Sequence, residues 1–146
     1  MNEREIERAC ERLVSAYARL IDFRDYEGFS ELFAGDGELD TGRPAVGPAE
    51  IFKHCMRRPE TLRSRHLMSN VHIEVLSATE ARGMSYVTIY RHVGPESLAR
   101  GPAPLAPAAA VGHYEDRYRL TPEGWRFARR KLHLAFRDES QTWTPT

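Results

Sequence analysis

Two residues that lie far apart in the sequence carry groups that together could move a proton. His66 stands just before a run of alternating polar and apolar residues, and Asp22 ends an amphipathic stretch near the N-terminus. An imidazole that is oriented by a buried carboxylate can act as a general base without a metal or a cofactor. The pair therefore predicts cofactor-free and metal-free proton transfer, provided that the fold brings the two side chains together.

Residues 4–22 are predicted to form the helix that positions Asp22. Its apolar residues recur at steps of three and four and share one face: Ile6, Cys10, Leu13, Tyr17, Leu20 and Ile21. Asp22 lies at the margin of this face, at a helix end where the macrodipole disfavours a carboxylate that has no compensating partner. His66 would provide that compensation, whereas Asp25 is better placed as the N-cap of the next helix.

Two more helices are predicted in the first half of the remaining chain. The second helix is expected from Tyr26 to Phe33, with its end at the break formed by residues 35–37, and a short strand is expected over 38–41. The third helix is expected from Pro48 to Arg57. In this helix Ile51, Phe52 and Cys55 are predicted to face inward, and His54 is predicted to lie at the surface.

The second half of the chain has the period of β-strands. Strands are predicted over residues 70–75, 81–93, 111–120 and 125–136, with a long loop over 94–110 and a hairpin turn over 121–124. Helices followed by antiparallel strands are typical of the α+β class. We therefore expect a curved antiparallel sheet wrapped around about three N-terminal helices, an arrangement that leaves a pocket.

The first of these strands sets a geometric condition on His66. If the strand were regular, His66 would share a face with Asn70 rather than with the apolar Val71 and Ile73. A bulge next to Asn70, or a strand that starts only after Leu67, would turn His66 toward the apolar side. The pairing with Asp22 is therefore a prediction that one interatomic distance can decide.

Composition restricts the class of protein. Of 146 residues, 41% are apolar and 29% charged, with 21 basic and 21 acidic side chains. We expect one domain over 1–146 with a loose tail from about residue 138, and the balanced charge argues against nucleic acid binding. Without a bilayer-length apolar run or a secretory pattern, a cytoplasmic protein with no membrane contact is expected. Cys10 and Cys55 are then simply buried apolar residues.

Several short motifs occur in a defined order along nearly the whole chain. They are Tyr17 with Asp22, Leu32-Phe33 with Asp36, Gly47-Pro48 with Ile51, Arg65-His66 with Asn70, Gly112 with Tyr114-Glu115-Asp116-Arg117, and Gly124-Trp125-Arg126-Phe127 with Arg130. This ordered set resembles the SnoaL-like branch of the nuclear-transport-factor-2-like superfamily. The resemblance implies a cone-shaped α+β barrel. It implies less about function, because that fold hosts dehydratases, dehydrohalogenases, isomerases, cyclases and non-catalytic subunits.

Within that branch the chain is similar to bile-acid dehydratases, hexachlorocyclohexane dehydrochlorinase and scytalone dehydratase. These enzymes use an Asp-His pair at the positions of Asp22 and His66. The bile-acid dehydratase pattern also has a tyrosine where Tyr17 stands and an arginine that Arg130 could supply. The dehydrochlorinase has a lysine at the position of Tyr17, so the resemblance favours loss of an oxygen leaving group over loss of halide. It thus implies catalytic roles for Asp22, His66, Tyr17 and Arg130.

Simpler roles are open for some of these residues. Tyr17 on an apolar helix face could pack in the core, and the basic run 129–131 could be a solvated face. The candidates for lining a substrate pocket are Val14, Ala18, Tyr90, His92, His113 and Tyr114. Because scytalone dehydratase uses a second histidine, His92 and His113 are of particular interest.

These observations lead to a functional hypothesis with stated alternatives. We expect a cofactor-independent lyase, of the dehydratase kind, that acts on a largely apolar small molecule through an Asp-His pair. The alternatives are a ketosteroid-type isomerase, a polyketide cyclase, or a non-catalytic subunit of the kind found in ring-hydroxylating dioxygenases. A homodimer or homotrimer is expected in each case, because the outer face of an antiparallel sheet is often covered by self-association.

Overall fold

The computed structural model describes residues 1–141 as helices packed against one sheet. The helices are α1 (Glu3–Asp22), α2 (Tyr26–Ser30) and α3 (Pro48–Met56). The strands are β1 (Phe33–Asp40), β2 (Pro44–Val46), β3 (Leu62–Val75), β4 (Glu80–Val93), β5 (Ala110–Thr121) and β6 (Gly124–Arg137). A 3₁₀ helix, Pro95–Leu98, lies in the connection between β4 and β5.

The six strands form a curved sheet with the order β2-β1-β6-β5-β4-β3. Neighbouring strands are antiparallel except β1 and β6, which run parallel. The predicted α+β class, with a curved sheet packed against N-terminal helices, is confirmed. The sheet stays open rather than closing into a complete barrel, since β2 and β3 form its two edges.

Helix α1 places Asp22 against the sheet, and its first turn is capped. At the start, the Asn2 side chain accepts a hydrogen bond from the Glu5 N–H, and the Glu5 carboxylate accepts one from the Asn2 N–H. This reciprocal pair is a capping box, which satisfies two otherwise unpaired donors. The predicted apolar face is buried, and the helix packs mainly against β3. Asp22 is the last residue of the helix.

The core lies between α1 and the inner face of the sheet. Inward-pointing side chains alternate along β5, where Tyr114, Asp116 and Tyr118 are buried and their neighbours are not. Such alternation is the period of a strand with one buried face. The aromatic part of the core is a chain of ring contacts that joins Tyr17, Phe29, Phe33, Tyr114, Tyr118 and Phe127.

The region after α2 differs from the sequence prediction. Helix α2 ends at Ser30 rather than Phe33, and the residues from Phe33 onward form β1. The glycines at 35 and 37 were interpreted as a helix break, but they lie inside this strand. A Cβ on Gly37 would lie 2.7 Å from the Phe127 carbonyl oxygen. Glycine is therefore what permits β1 to approach β6 at an irregular point in the register.

Two side chains of α3 are placed differently from the prediction. Phe52, expected inside, is partly exposed, whereas His54, expected at the surface, is buried. The His54 Nε2 lies 3.3 Å from the Thr41 hydroxyl, so the imidazole is hydrogen-bonded to the segment after β1. The burial of His54 did not follow from the local sequence, because it depends on the packing of α3 against α2, β1 and β2. Asp25, in contrast, caps α2 as predicted by accepting a hydrogen bond from the Gly28 N–H.

The first residues of the predicted loose tail, 138–141, are hydrogen-bonded to the loop before β5. The Asp138 N–H donates to the Ala109 carbonyl, and the Gln141 side chain donates to the Pro107 carbonyl. These bonds tie residues 138–141 to the loop before β5. The rest of the predicted loose tail, 142–146, lies outside the described residues. Among residues 1–141, the helices all lack the length and apolar character that a membrane-spanning segment requires.

Candidate active site

Asp22 and His66 meet at the point where α1 ends against β3. The His66 Nδ1 lies 2.6 Å from the Asp22 Oδ1, and the His66 backbone N–H donates to the Asp22 Oδ2 at 2.8 Å. The two side chains are only 2% and 5% exposed, respectively. The carboxylate therefore receives one bond from the ring and one from the main chain of the same histidine. This arrangement fixes the ring with respect to the carboxylate.

A bulge in β3 turns the His66 side chain inward. The pairing of β3 with β4 shifts register between Ser69 and His72, and Asn70 adopts a left-handed backbone with φ of 51°. Before the bulge, His66 faces the interior, and after it Ile73 and Val75 pack against the core. One extra residue thus reverses the alternation along the strand. Of the two ways in which the sequence allowed His66 to face inward, the bulge is the one observed.

Two further residues hold the Asp22 carboxylate, and the sequence analysis did not single them out. The Ser64 hydroxyl donates to the Asp22 Oδ1 at 2.8 Å, and the Arg58 Nη2 donates to the Ser64 Oγ at 2.7 Å. Both side chains are buried. A serine two residues before a histidine on a strand shares its face. That spacing was a signal that could have identified Ser64.

The environment of His66 favours its neutral form. Burial lowers the pKa of His66 below its usual value, and the hydrogen bond that His66 donates to Asp22 only partly opposes this effect. Because an ionised carboxylate can only accept, the short bond to Asp22 requires the proton of the neutral ring to be on Nδ1. The Nε2 atom then carries a lone pair. A neutral imidazole with a free Nε2 is the form that a general base needs.

Tyr17 lies beside His66 on the inner face of α1. Its ring meets the His66 ring edge-on at a centroid distance of 6.4 Å, and its hydroxyl accepts a hydrogen bond of 3.3 Å from the Tyr114 hydroxyl. Burial raises the pKa of Tyr17 well above its usual range, so the phenol stays protonated. A protonated phenol can donate a hydrogen bond to an oxygen that gains negative charge.

Arg130 is buried, as a pocket residue would be, but its charge is already paired. The Nε and Nη2 atoms donate to the two carboxylate oxygens of Asp116 at 2.8 and 3.0 Å, and Nη2 also donates to the Ser85 hydroxyl at 3.2 Å. Burial alone would lower the pKa of Arg130, but Asp116 outweighs it and raises the pKa. Arg130 and Asp116 therefore form a bidentate ion pair. No role for Asp116 is predicted from the sequence.

The other nitrogen of the guanidinium group, Nη1, has no hydrogen-bond partner among residues 1–141. The guanidinium carbon lies 3.9 Å from the ring centroid of Tyr114 and 4.3 Å from that of Tyr17. These rings attract the cation through their π faces. Arg130 therefore touches the same tyrosine as His66, and one buried N–H donor remains without an oxygen acceptor.

The structure divides the predicted pocket residues between the two faces of the sheet. Val14 and Ala18 on α1, and Tyr114 on β5, are buried on the inner side with Tyr17. Tyr90, His92 and His113, which were also predicted to line the pocket, are not brought together with these residues. All three alternate with the buried Val87, Ile89 and Tyr114 and so point to the outer face. There, His92 bonds to Glu96 and His113 bonds to Glu115.

Comparison with known families gives one match that covers most of the chain. The model of the SnoaL-like domain matches residues 2–131. Among curated proteins, none is similar enough in sequence to match this chain.

Several solved structures share this fold. A variant of a protein of unknown function from Mycobacterium tuberculosis has 22% identity and a TM-score of 0.77, over 98% of this chain and 84% of that one. A scytalone dehydratase-like protein from Novosphingobium aromaticivorans has 26% identity and a TM-score of 0.73, over 88% and 83%. An aromatic ring hydroxylase-like protein from the same organism has 23% identity and a TM-score of 0.73, over 93% of both chains.

Proposed function

Because the chain belongs to the SnoaL-like family, we propose that it is a cofactor-independent lyase in which His66 removes a proton from a largely apolar small molecule. The observation that carries the proposal is the buried bond of 2.6 Å between the His66 Nδ1 and the Asp22 Oδ1. The scytalone dehydratase-like protein from Novosphingobium aromaticivorans, which shares 26% identity with this chain, supports the same class of reaction.

The proposed reaction starts at the Nε2 atom of His66. This atom takes a proton from a carbon next to a carbonyl group, and the electron pair of the C–H bond passes into the developing enolate. Asp22 stabilises the imidazolium that forms and itself stays ionised. This is the role that the orienting carboxylate has in a catalytic triad. The C–O bond to the neighbouring hydroxyl group then breaks, and the departing oxygen takes the proton from Nε2. The products are an unsaturated carbonyl compound and water.

The two further candidates would act on the oxygen atoms of the substrate. The Tyr17 phenol stays protonated because burial raises its pKa, so it can donate to an enolate oxygen or to the leaving oxygen. The Arg130 Nη1 offers a second buried donor. The charge of Arg130 is shared with Asp116, so we assign it a directional hydrogen bond rather than the full attraction of an unpaired cation.

Hydrogen exchange with solvent tests this proposal before the natural substrate is identified. A panel of apolar β-hydroxy ketones would be incubated with the protein in D₂O, and NMR would record both deuterium uptake beside the carbonyl and loss of water. We expect the wild type to catalyse both with at least one compound. Asp22→Asn and His66→Gln should each lower the rate by about 10²–10⁴-fold, the usual contribution of a general base.

The matched control is His54→Gln, which replaces the other buried histidine, whose ring bonds to Thr41 and not to Asp22. This variant should exchange protons at the wild-type rate. If either Asp22→Asn or His66→Gln kept the full rate, the proposed mechanism would be wrong. Exchange without loss of water would instead identify an isomerase that uses the same base.

A second candidate function is a non-catalytic subunit, and one observation favours it. The Asp116–Arg130 pair compensates the buried charge without any bound molecule, and one neighbour of the same fold is ring hydroxylase-like. In that case the wild type would catalyse no exchange with any compound of the panel, and Asp22→Asn would change only stability.

A further inference from the structure

A histidine-rich cluster lies on the outer face of the sheet, away from Asp22 and His66. His113 on β5 and His133 on β6 stand directly opposite each other in the register of the two strands. Glu115 is two residues beyond His113 and therefore shares its face. The side chains of His113, Glu115 and His133 are 31%, 54% and 37% exposed, so solvent ions can reach all three.

The three side chains converge through their donor atoms. The Nε2 atoms of His113 and His133 lie 3.1 and 2.9 Å from the same carboxylate oxygen of Glu115. The two imidazole rings are nearly parallel, with an interplanar angle of 10° and a centroid distance of 4.9 Å. The three candidate donor atoms all lie within 4.8 Å of one another. The convergence is thus a property of two strands in fixed register rather than of a mobile loop.

Two of these separations, 3.1 and 2.9 Å, are close to those between the donor atoms of a metal site. Zinc binds imidazole nitrogen and carboxylate oxygen at about 2.0–2.2 Å, so two donors of a tetrahedral site are roughly 3.3 Å apart. An ion could therefore enter between the three donors with small rotations of the exposed side chains. We propose that His113, Glu115 and His133 bind a divalent transition metal, Zn²⁺ foremost, and that water occupies the remaining coordination position.

The donor types and the charges around the cluster affect which metal it binds and with what affinity. Glu115 supplies one negative charge, and the nitrogen and oxygen donor set suits Zn²⁺ better than Mg²⁺ or Ca²⁺, which prefer oxygen ligands. Lys131 stands opposite Glu115 in the strand register and acts on its carboxylate as a neighbouring cation. This positive charge opposes metal binding, so Lys131→Gln should tighten it.

Calorimetric titration of the full chain, prepared without a histidine tag, with Zn²⁺ tests the proposal. We expect one ion per chain. His113→Asn and His133→Asn should each weaken binding by more than about 10–100-fold, the loss that follows removal of an outer-shell partner alone. Replacement of Zn²⁺ by Co²⁺ should give a visible absorption band that both variants lose.

The matched control is His92→Asn, which removes another histidine of the outer face whose ring bonds to a single carboxylate, that of Glu96. This variant should bind Zn²⁺ as the wild type does. Binding that survives in both His113→Asn and His133→Asn, or no binding at millimolar Zn²⁺, would overturn the proposal. Circular dichroism would verify that each variant is folded, and Glu115→Gln supplies an independent test that leaves both histidines in place.

Discussion

Ser64 and His66 donate to the same oxygen of Asp22, at 2.8 and 2.6 Å. The two donors lie on one face of β3, two residues apart, so the strand itself sets the angle between them. The serine accepts a hydrogen bond in turn from Arg58, which follows the C-cap residue of α3. The geometry of the Asp22–His66 pair therefore depends on Arg58 as well, a residue that lies outside both α1 and β3.

Removal of the Ser64 hydroxyl should loosen this geometry. In Ser64→Ala the carboxylate loses one donor, and Arg58 loses one of its acceptors. Hydrogen bonds to charged groups contribute about 1.5–3 kcal/mol, so we expect a loss of that size in the free energy of unfolding, measured by urea denaturation. Ser30→Ala is the matched control, because the Ser30 hydroxyl bonds only to the neutral Glu27 carbonyl. A loss no larger than that of the control would contradict the role given to Ser64.

Loss of one partner of the Arg130–Asp116 ion pair should destabilise the protein strongly, whereas replacement of both partners should destabilise it much less. Asp116→Asn leaves a buried cation without its counter-charge, for which we expect a destabilisation of about 3–5 kcal/mol. The double variant Asp116→Leu with Arg130→Met should recover much of this loss, because two apolar side chains remove both charges from the core. Chemical denaturation measures both effects.

The control for this prediction is the more exposed ion pair of Arg129 on β6 and Glu38 on β1. Glu38→Gln should change stability by less than about 1 kcal/mol, as is usual for surface ion pairs. If Asp116→Asn were no more destabilising than Glu38→Gln, the buried pair would not contribute as described.

The bulge at Asn70 should be required for the placement of His66. Because Asn70 has φ of 51°, Asn70→Gly should be tolerated, whereas a β-branched residue is strained there by about 1–3 kcal/mol. We therefore expect Asn70→Val to lower the melting temperature clearly and Asn70→Gly to change it little. Deletion of Asn70 would make β3 regular and turn either His66 or the pair Ile73 and Val75 outward. A folded deletion variant with wild-type proton exchange would contradict this prediction.

This bulge also illustrates what the sequence could predict and what it could not. The helix that ends at Asp22 and the hydrophobic period of the later strands follow from local patterns that the packing reinforces. The bulge is different. The polar and apolar residues alternate on both sides of Asn70, and this pattern fits β3 paired with β4 either with or without an extra residue. Only the pairing of β3 with β4 decides between them.

The remaining failures have the same origin in contacts between distant segments. Glycines 35 and 37 have the composition of a break, yet β1 continues through them because β6 pairs with it. The burial of His54 likewise depends on the packing of α3 against α2, β1 and β2, which the local sequence does not reveal. Asp116 was hidden within a charged run of three residues, where strand alternation buries the middle one and exposes Glu115 and Arg117.

Acid should destabilise the protein through its buried histidines. Burial lowers the pKa of His66 and of His54 in the folded state below the ordinary value of 6.5. At a pH near and below this value the unfolded chain therefore binds more protons than the folded chain, so the free energy of unfolding falls as the pH falls. The contribution is fully present above about pH 6.5, and it is lost as the pH decreases through the lower pKa values of the folded protein.

Urea denaturation at a series of pH values measures this slope, and NMR titration of the imidazole signals assigns it. His66→Gln and His54→Gln should each reduce the slope between about pH 5 and pH 6.5, the range above the titration of ordinary carboxylates. His72→Gln is the control, because His72 is exposed on the sheet. If the His66 signal titrated above 6.5, Asp22 would outweigh burial, and the sign of this histidine's contribution would be reversed. The basic form of the proposed general base would then be populated only at higher pH.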